Sequence, residues 1–121
     1  MEPTYARTFA EYVAWMATNA PHTTILDWWR RLELTLTDYA RARGLPCGAG
    51  HLRIERAISQ DPALGLDRAV MVASLRRRRN EVAHPPSAFV SKDEAIGYAD
   101  SAFQLIGVLG LLEHHRAKGA A

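Results

Sequence analysis

The positions of glycine and proline constrain the fold of this chain more than any other feature. They interrupt it at Pro21, at 44–50, at 62–65 and at Pro85-Pro86. Between these breaks, apolar residues recur at the three- and four-residue spacing of amphipathic helices, and no two segments alternate in the manner of paired strands. The sequence therefore predicts an all-α fold, a four- to five-helix bundle.

Five segments have the length and the apolar pattern of helices. They cover about residues 4–19, 24–42, 50–59, 67–83 and 91–116. Thr24 and Asp67 are the expected N-caps of the second and fourth helices, because their side-chain oxygens can accept backbone N–H bonds. The last helix opens with Ser91-Lys92-Asp93-Glu94, which fits the S-x-x-E capping box and marks where this helix begins.

Composition limits the other possibilities. A chain of 121 residues, 48% of them hydrophobic, has the size of one domain and can bury a core without disulfides. Cys47 is the single cysteine, so neither an intrachain disulfide nor a cysteine-based zinc site is expected. Residues 1–5 lack the pattern of a secretion signal, and the apolar stretch from Ala102 to Leu112 is shorter than the roughly 20 residues of a membrane span. We expect one domain over residues 1–121, in the cytoplasm and off the membrane, with neither metal nor cofactor.

The last helix is apolar nearly all round from Ala95 to Leu112. Such a pattern predicts burial on two sides, because an amphipathic surface helix shows one polar face. Gly107 and Gly110 permit another helix to approach closely. We therefore expect this helix either to be the central helix of the bundle or to line the interface of a two-fold homodimer.

The fourth helix contains a block of four consecutive arginines, although the net charge of the chain is only +2. At 100° per residue, Arg76, Arg77 and Arg78 point around the polar sides, where they can reach water. Arg79 instead falls on an apolar stripe. The other members of this stripe are Met71, Val72, Leu75 and Val82. Because a desolvated guanidinium needs a partner, Arg79 is expected to meet an acid, a neighbouring subunit or an anionic ligand.

His84 stands directly before Pro85, at the end of the same helix. A residue before proline is pushed out of the α region, so His84 is expected at the C-cap in an extended conformation. Its imidazole can then turn away from its helical direction, and two-fold pairing of two chains could bring Arg79 and His84 of both into one cleft. Histidine moves protons near neutral pH and arginine holds phosphates, which is the chemistry of RNA cleavage by its own 2′-hydroxyl.

The segment Arg79-Asn80-Glu81-Val82-Ala83-His84 resembles the R-x4-6-H motif of the HEPN superfamily of compact helical bundles, in which a polar residue, often Asn, follows the Arg. The resemblance implies a homodimeric, metal-independent endoribonuclease in a toxin-antitoxin, phage-defence or RNA-processing setting, with a cognate antitoxin as a further partner. It makes Arg79 and His84 catalytic and gives Asn80 a role in positioning the RNA or the histidine. Pro86 departs from members paired with a nucleotidyltransferase antitoxin, which often carry Tyr two residues after the His.

Other interpretations of the same residues stay open. Arg79 could form a structural ion pair with Glu33 or Glu55, and His84 could simply cap the helix. The arginines at 76–78 are expected to contact the RNA backbone if the cleft exists, and otherwise to form a solvated face. The cleft could also belong to a non-catalytic helical dimer that binds nucleic acid or a protein. A DNA-binding regulator is disfavoured, because the helix is largely apolar on its stripe.

Overall fold

The computed structural model describes residues 8–44, 58–84 and 89–120, with side chains as far as His114. Its helices are α1 (Phe9–Asn19), α2 (Pro21–Ala42), α3 (Leu66–Ala83) and α4 (Lys92–Ala120). No strand occurs within those residues, so the all-α prediction is confirmed. The helix predicted at about 50–59 falls largely outside the described residues.

The first two helices begin at a threonine cap and at a proline. Thr8 caps α1, since its Oγ1 accepts the backbone N–H of Glu11 at 3.1 Å. α2 begins at Pro21 rather than at the predicted cap Thr24, because proline has a helical φ and lacks an N–H that the first turn would leave unsatisfied. Thr24 lies buried inside α2, where its hydroxyl donates to the carbonyl of Ala20 at 2.8 Å.

The starts of α3 and α4 contradict one predicted cap and confirm the other. Gly65, with a φ of 86°, precedes α3, so Asp67 lies in the first turn and is not the N-cap. The carboxylate of Asp67 still stabilises the positive end of the helix dipole from there. At α4 the predicted cap is confirmed, because Ser91 Oγ accepts the backbone N–H of Glu94 at 3.0 Å.

A buried carboxylate holds the turn that precedes α3. Tyr39 Oη donates to Asp61 Oδ2 at 2.6 Å, and Arg43 Nη2 donates to Asp61 Oδ1 at 2.8 Å. The backbone N–H of Ala63 donates to the same Oδ1 at 3.0 Å. Burial, followed by the hydrogen bond with Asp61, raises the pKa of Tyr39 to about 12. The network ties the end of α2 to the segment that leads into α3.

α2 and α4 form the centre of the bundle, and α1 and α3 pack against both of them. The buried apolar residues of these two helices are Ile25, Trp28, Trp29, Leu32, Leu36, Tyr39, Ala40, Ala95, Tyr98, Ala99, Ala102, Leu105 and Leu109. Ala95, Ala99 and Ala102 follow the i, i+4, i+7 spacing of one helix face. Their small side chains give α4 a smooth side on which a neighbouring helix can lie close.

α4 contacts each of the other three helices, so the expectation of a central helix is confirmed. Burial on two sides is not observed within the described residues. Leu111 is exposed, and a Cβ built at Gly107 would meet no atom within 4 Å. Among the described residues, the side of α4 that carries Gly107 and Leu111 is therefore open.

The segment Lys92–His114 of α4 is long and apolar enough, by length and composition, to cross a membrane, with a mean hydropathy of 1.5 and 33% of it buried. It is longer than the stretch from Ala102 to Leu112, so the expectation that no segment reaches this length is wrong. A single helix of this kind indicates a membrane span only weakly, because the core helix of a bundle passes the same test. The predicted cytoplasmic location stays a prediction.

Candidate functional site

α3 ends where Pro85 predicts that it should. Ala83 is its last residue, and His84 has a φ of −104° and a ψ of 134°, an extended conformation. The backbone N–H of His84 donates to the carbonyl of Asn80 at 3.2 Å. The prediction of an extended histidine at the C-cap is confirmed, and the side chain of His84 is exposed to solvent.

Arg79 lies half-buried on the inner side of α3. The buried residues of its stripe are Val72, Leu75 and Val82. Met71, predicted to lie with them, is exposed at the edge of the stripe. Arg79 Nη1 donates to Asn80 Oδ1 at 3.1 Å, so the amide beside it in sequence can orient the guanidinium. Of the two acids considered as partners, Glu33 is half-buried on α2 and Glu55 lies outside the described residues.

Tyr98 of α4 lies against the same part of α3. Its buried hydroxyl donates to the carbonyl of Leu75 at 2.8 Å. Burial raises the pKa of Tyr98, and the positive charge of Arg79 acts on this pKa in the opposite direction, as expected of a guanidinium near the phenol. Sequence reasoning missed Tyr98, because on an apolar helix it follows the pattern of any core residue.

Arg78 is held by three residues, contrary to the prediction that it reaches water without difficulty. Its Nε and Nη2 donate to the two carboxylate oxygens of Glu94, the second at 2.8 Å. Nη1 donates to Glu81 at 3.2 Å, and Nη2 also donates to the carbonyl of Phe89 at 3.0 Å. The hydrogen bonds with Glu94, above all, raise the pKa of Arg78. The side chain of Arg78 is only 25% exposed.

We call the contacts of Arg78 with Glu94 and Phe89 the Arg78 clamp. The clamp connects α3 with the segment that begins α4. A two-point pair between arginine and carboxylate fixes direction as well as distance. The clamp therefore restrains the last turns of α3, with Arg79 and His84 on them, relative to α4.

The other two arginines of the block differ from each other. Arg77 is exposed on the outer side of α3, whereas Arg76 is half-buried and has an interaction of its own. The RNA-backbone contacts of Arg76, Arg77 and Arg78 stay predictions. Within the block, Arg77 has the charge most open to a polyanion in solution.

Comparison of the chain with models of protein families, with curated proteins and with solved structures gives no match. The candidate site therefore depends on the chemistry of its own residues. Among the residues that the structure describes, no group of three or more His, Cys, Asp or Glu side chains is placed to hold a metal ion.

The end of α3 offers a half-buried guanidinium and an exposed imidazole, separated by about one and a half helical turns. A helix C-terminus carries a partial negative charge, which favours cations and opposes anions. A phosphate would therefore have to bind the arginine side chains directly. Arg79 and the exposed Arg77 are the candidates, because Arg78 is bound to Glu94. An imidazole beside such a phosphate can take up or release a proton near neutral pH.

Proposed function

We propose that this chain is a metal-independent endoribonuclease of the HEPN type, in which Arg79 and His84 cleave RNA through attack by its own 2′-hydroxyl. The observation that carries the proposal is His84, held extended and exposed at the C-cap of α3, just beyond the half-buried Arg79. The spacing and the intervening Asn80 are those of the R-x4-6-H motif that the segment resembles.

Each residue has a separate part in the proposed reaction. His84 takes the proton of the 2′-hydroxyl or protonates the leaving 5′-oxygen. The 2′-oxygen bonds to phosphorus while the bond from phosphorus to the 5′-oxygen breaks, which leaves a cyclic phosphate. Arg79 holds the phosphate and offsets the negative charge that develops on it. Asn80 orients the guanidinium through the 3.1 Å hydrogen bond to its Oδ1.

The proposal includes a homodimer, in which the α3 ends of two chains share one cleft. It also includes the setting that the resemblance implies, a toxin-antitoxin, defence or RNA-processing role in the cytoplasm with a cognate antitoxin as partner. The open side of α4 and the exposed end of α3 both leave surface on which a second chain can pack.

The test is incubation of the purified full chain with single-stranded RNA in the presence of a chelator. We expect products with a cyclic phosphate, and a loss of rate of about a hundredfold or more in Arg79→Ala and in His84→Ala, because each supplies charge or a proton to the transition state. Arg30→Ala on α2 and His114→Ala on α4 remove an exposed arginine and an exposed histidine elsewhere. These two controls should keep the wild-type rate.

Circular dichroism and thermal unfolding establish that each variant is folded before its rate is compared. Cleavage that continues undiminished in both the Arg79 and the His84 variant would contradict the proposal. An equal loss in Arg30→Ala would indicate a general effect of net charge rather than a site.

The position of Arg79 favours a second candidate function. The guanidinium is half-buried near Tyr98 and bound to Asn80, as expected of an arginine that anchors an anion without reacting with it. A non-catalytic dimer would then bind RNA or a protein through the same site. This candidate predicts RNA binding that weakens steeply with salt and no cleavage, so the same assay separates the two.

A further inference from the structure

Phe89 is the most exposed large apolar side chain of the described residues, at 84%. Single exposed apolar residues are common on protein surfaces, so exposure alone indicates little. Phe89 differs in its location, because it lies three residues before the start of α4 and its carbonyl binds the side chain of Arg78 on α3. An aromatic ring is thus presented to solvent beside the proposed site.

The backbone of Phe89 is held at its carbonyl and at the residues that follow it. Its carbonyl accepts the hydrogen bond from Arg78 Nη2 at 3.0 Å, as one part of the Arg78 clamp. The next residue, Val90, is buried in the core, and Ser91 caps α4. A ring on a fixed backbone has little conformational freedom to lose when it binds, which favours binding.

The charges around Phe89 are compatible with a polyanion. Glu81 and Glu94 share the Arg78 guanidinium with the Phe89 carbonyl, and Asp93 is a further, exposed acid in the first turn of α4. Arg78 and the exposed Lys92 partly offset this negative charge. The cations that remain on the adjacent turns of α3 are Arg77, which is exposed, and Arg79.

We propose that Phe89 is a stacking platform for an unpaired nucleobase, next to the phosphate that Arg79 holds. The choice of RNA as the ligand rests on the proposed function. Every nucleobase has a flat π face, so an aromatic ring binds single strands with little regard to sequence. Bases inside a duplex are already stacked and cannot reach the ring, so the substrate class is single-stranded RNA.

The test compares two ligands that differ in bases and not in charge. One is a 2′-O-methyl oligoadenylate, which lacks the attacking hydroxyl, and the other is an abasic oligomer with the same number of phosphates. The wild-type chain should bind the oligoadenylate about tenfold more tightly, the size of effect that one stacked base supplies. Phe89→Ala should lose this preference, whereas Phe89→Trp should keep it.

Leu66→Ala is the matched control. Leu66 is an apolar residue with 69% exposure at the opposite end of α3. It lies about 25 Å from Ala83 along the helix axis, at 1.5 Å per residue. This variant removes exposed apolar surface far from the site, so it should keep the wild-type preference for the oligoadenylate.

Equal binding of the two oligomers by the wild-type chain, or a preference that persists in Phe89→Ala, would overturn the inference. A Phe89→Ala variant that keeps the preference for the oligoadenylate but changes its oligomeric mass would also overturn the inference, because Phe89 would then contact another chain. Cleavage is scored separately with unmodified RNA. A chain that prefers the oligoadenylate through Phe89 but cleaves nothing supports the stacking inference and contradicts the proposed function.

Discussion

Among the residues that the structure describes, Asp61 is the charged side chain with the least contact with solvent, since none of its side-chain surface is exposed in the ion pair with Arg43. Its carboxylate accepts hydrogen bonds from Tyr39, Arg43 and Ala63. Asp61→Asn keeps the shape of the side chain but removes the charge and turns one acceptor into a donor. We expect the free energy of unfolding to fall by about 2 kcal/mol, measured by urea denaturation.

Asp38→Asn is the control for this substitution. Asp38 pairs with Arg41 at 3.8 Å, and both side chains are 71% exposed. An ion pair so open to water contributes little to stability, so we expect the free energy of unfolding to change by less than about 0.5 kcal/mol. Equal losses in the two variants would show that burial of Asp61 does not govern its contribution to stability.

At the residue scale, helical periodicity predicted that Arg79 is partly buried, but not that Arg76 and Arg78 are half-buried as well, nor what the arginines contact. The 100° step places Arg79 on the side of Leu75, and it is half-buried there. Arg78 binds Glu94, sixteen residues away, and Tyr98 binds Leu75, twenty-three residues away. Both contacts depend on how α3 and α4 pack together, which no local pattern contains.

At the scale of the helices, Gly65 and Gly107 both have free space around them, but they differ in backbone conformation. A Cβ built at Gly65 or at Gly107 meets no atom within 4 Å, but Gly65 has a φ of 86° whereas Gly107 lies inside α4. Gly107→Ala should raise the free energy of unfolding by about 0.5 to 1 kcal/mol, because alanine favours the helix. Gly65→Ala should lower it by about 1 kcal/mol or more, because a side chain is strained at positive φ.

Urea denaturation at low protein concentration measures both changes on the single chain. Destabilisation by Gly107→Ala would contradict the open space around this residue. If that destabilisation appeared only at high concentration, a second chain would be packing against α4.

The helix ends differ in how well local chemistry predicts them. Pro85 disfavours a helical conformation in the residue before it, so the end of α3 at Ala83 agrees with the sequence. Thr24 and Asp67 are good caps by residue type, but neither caps its helix. At α2 an earlier start at Pro21 competes with Thr24, and the choice depends on the packing of the preceding turn. The start of α2 was therefore mispredicted by three residues.

On the scale of the whole molecule, α4 separates the candidate site from its own open side. Tyr98 faces α3 through its bond to Leu75, and Gly107 lies about 180° further round α4 at 100° per residue. Leu111 lies on the same open side as Gly107. Two chains that paired through this open side would therefore keep their Arg79 residues apart. The shared cleft of the proposed function requires pairing at the ends of α3.

Mixing two inactive variants distinguishes these two ways of pairing. Arg79→Ala retains His84 and His84→Ala retains Arg79, so a mixed dimer with a shared cleft holds one of each. We expect the two variants, unfolded and refolded together, to recover part of the wild-type cleavage rate, because the phosphate again meets an arginine and a proton carrier. Refolding Arg79→Ala with the double variant Arg79→Ala/His84→Ala is the control and should recover nothing, since no arginine returns to the cleft. Sedimentation should give the mass of two chains for every mixture. A mass of one chain would exclude the homodimer, and a dimer without recovery would indicate separate sites, as pairing through the open side of α4 predicts.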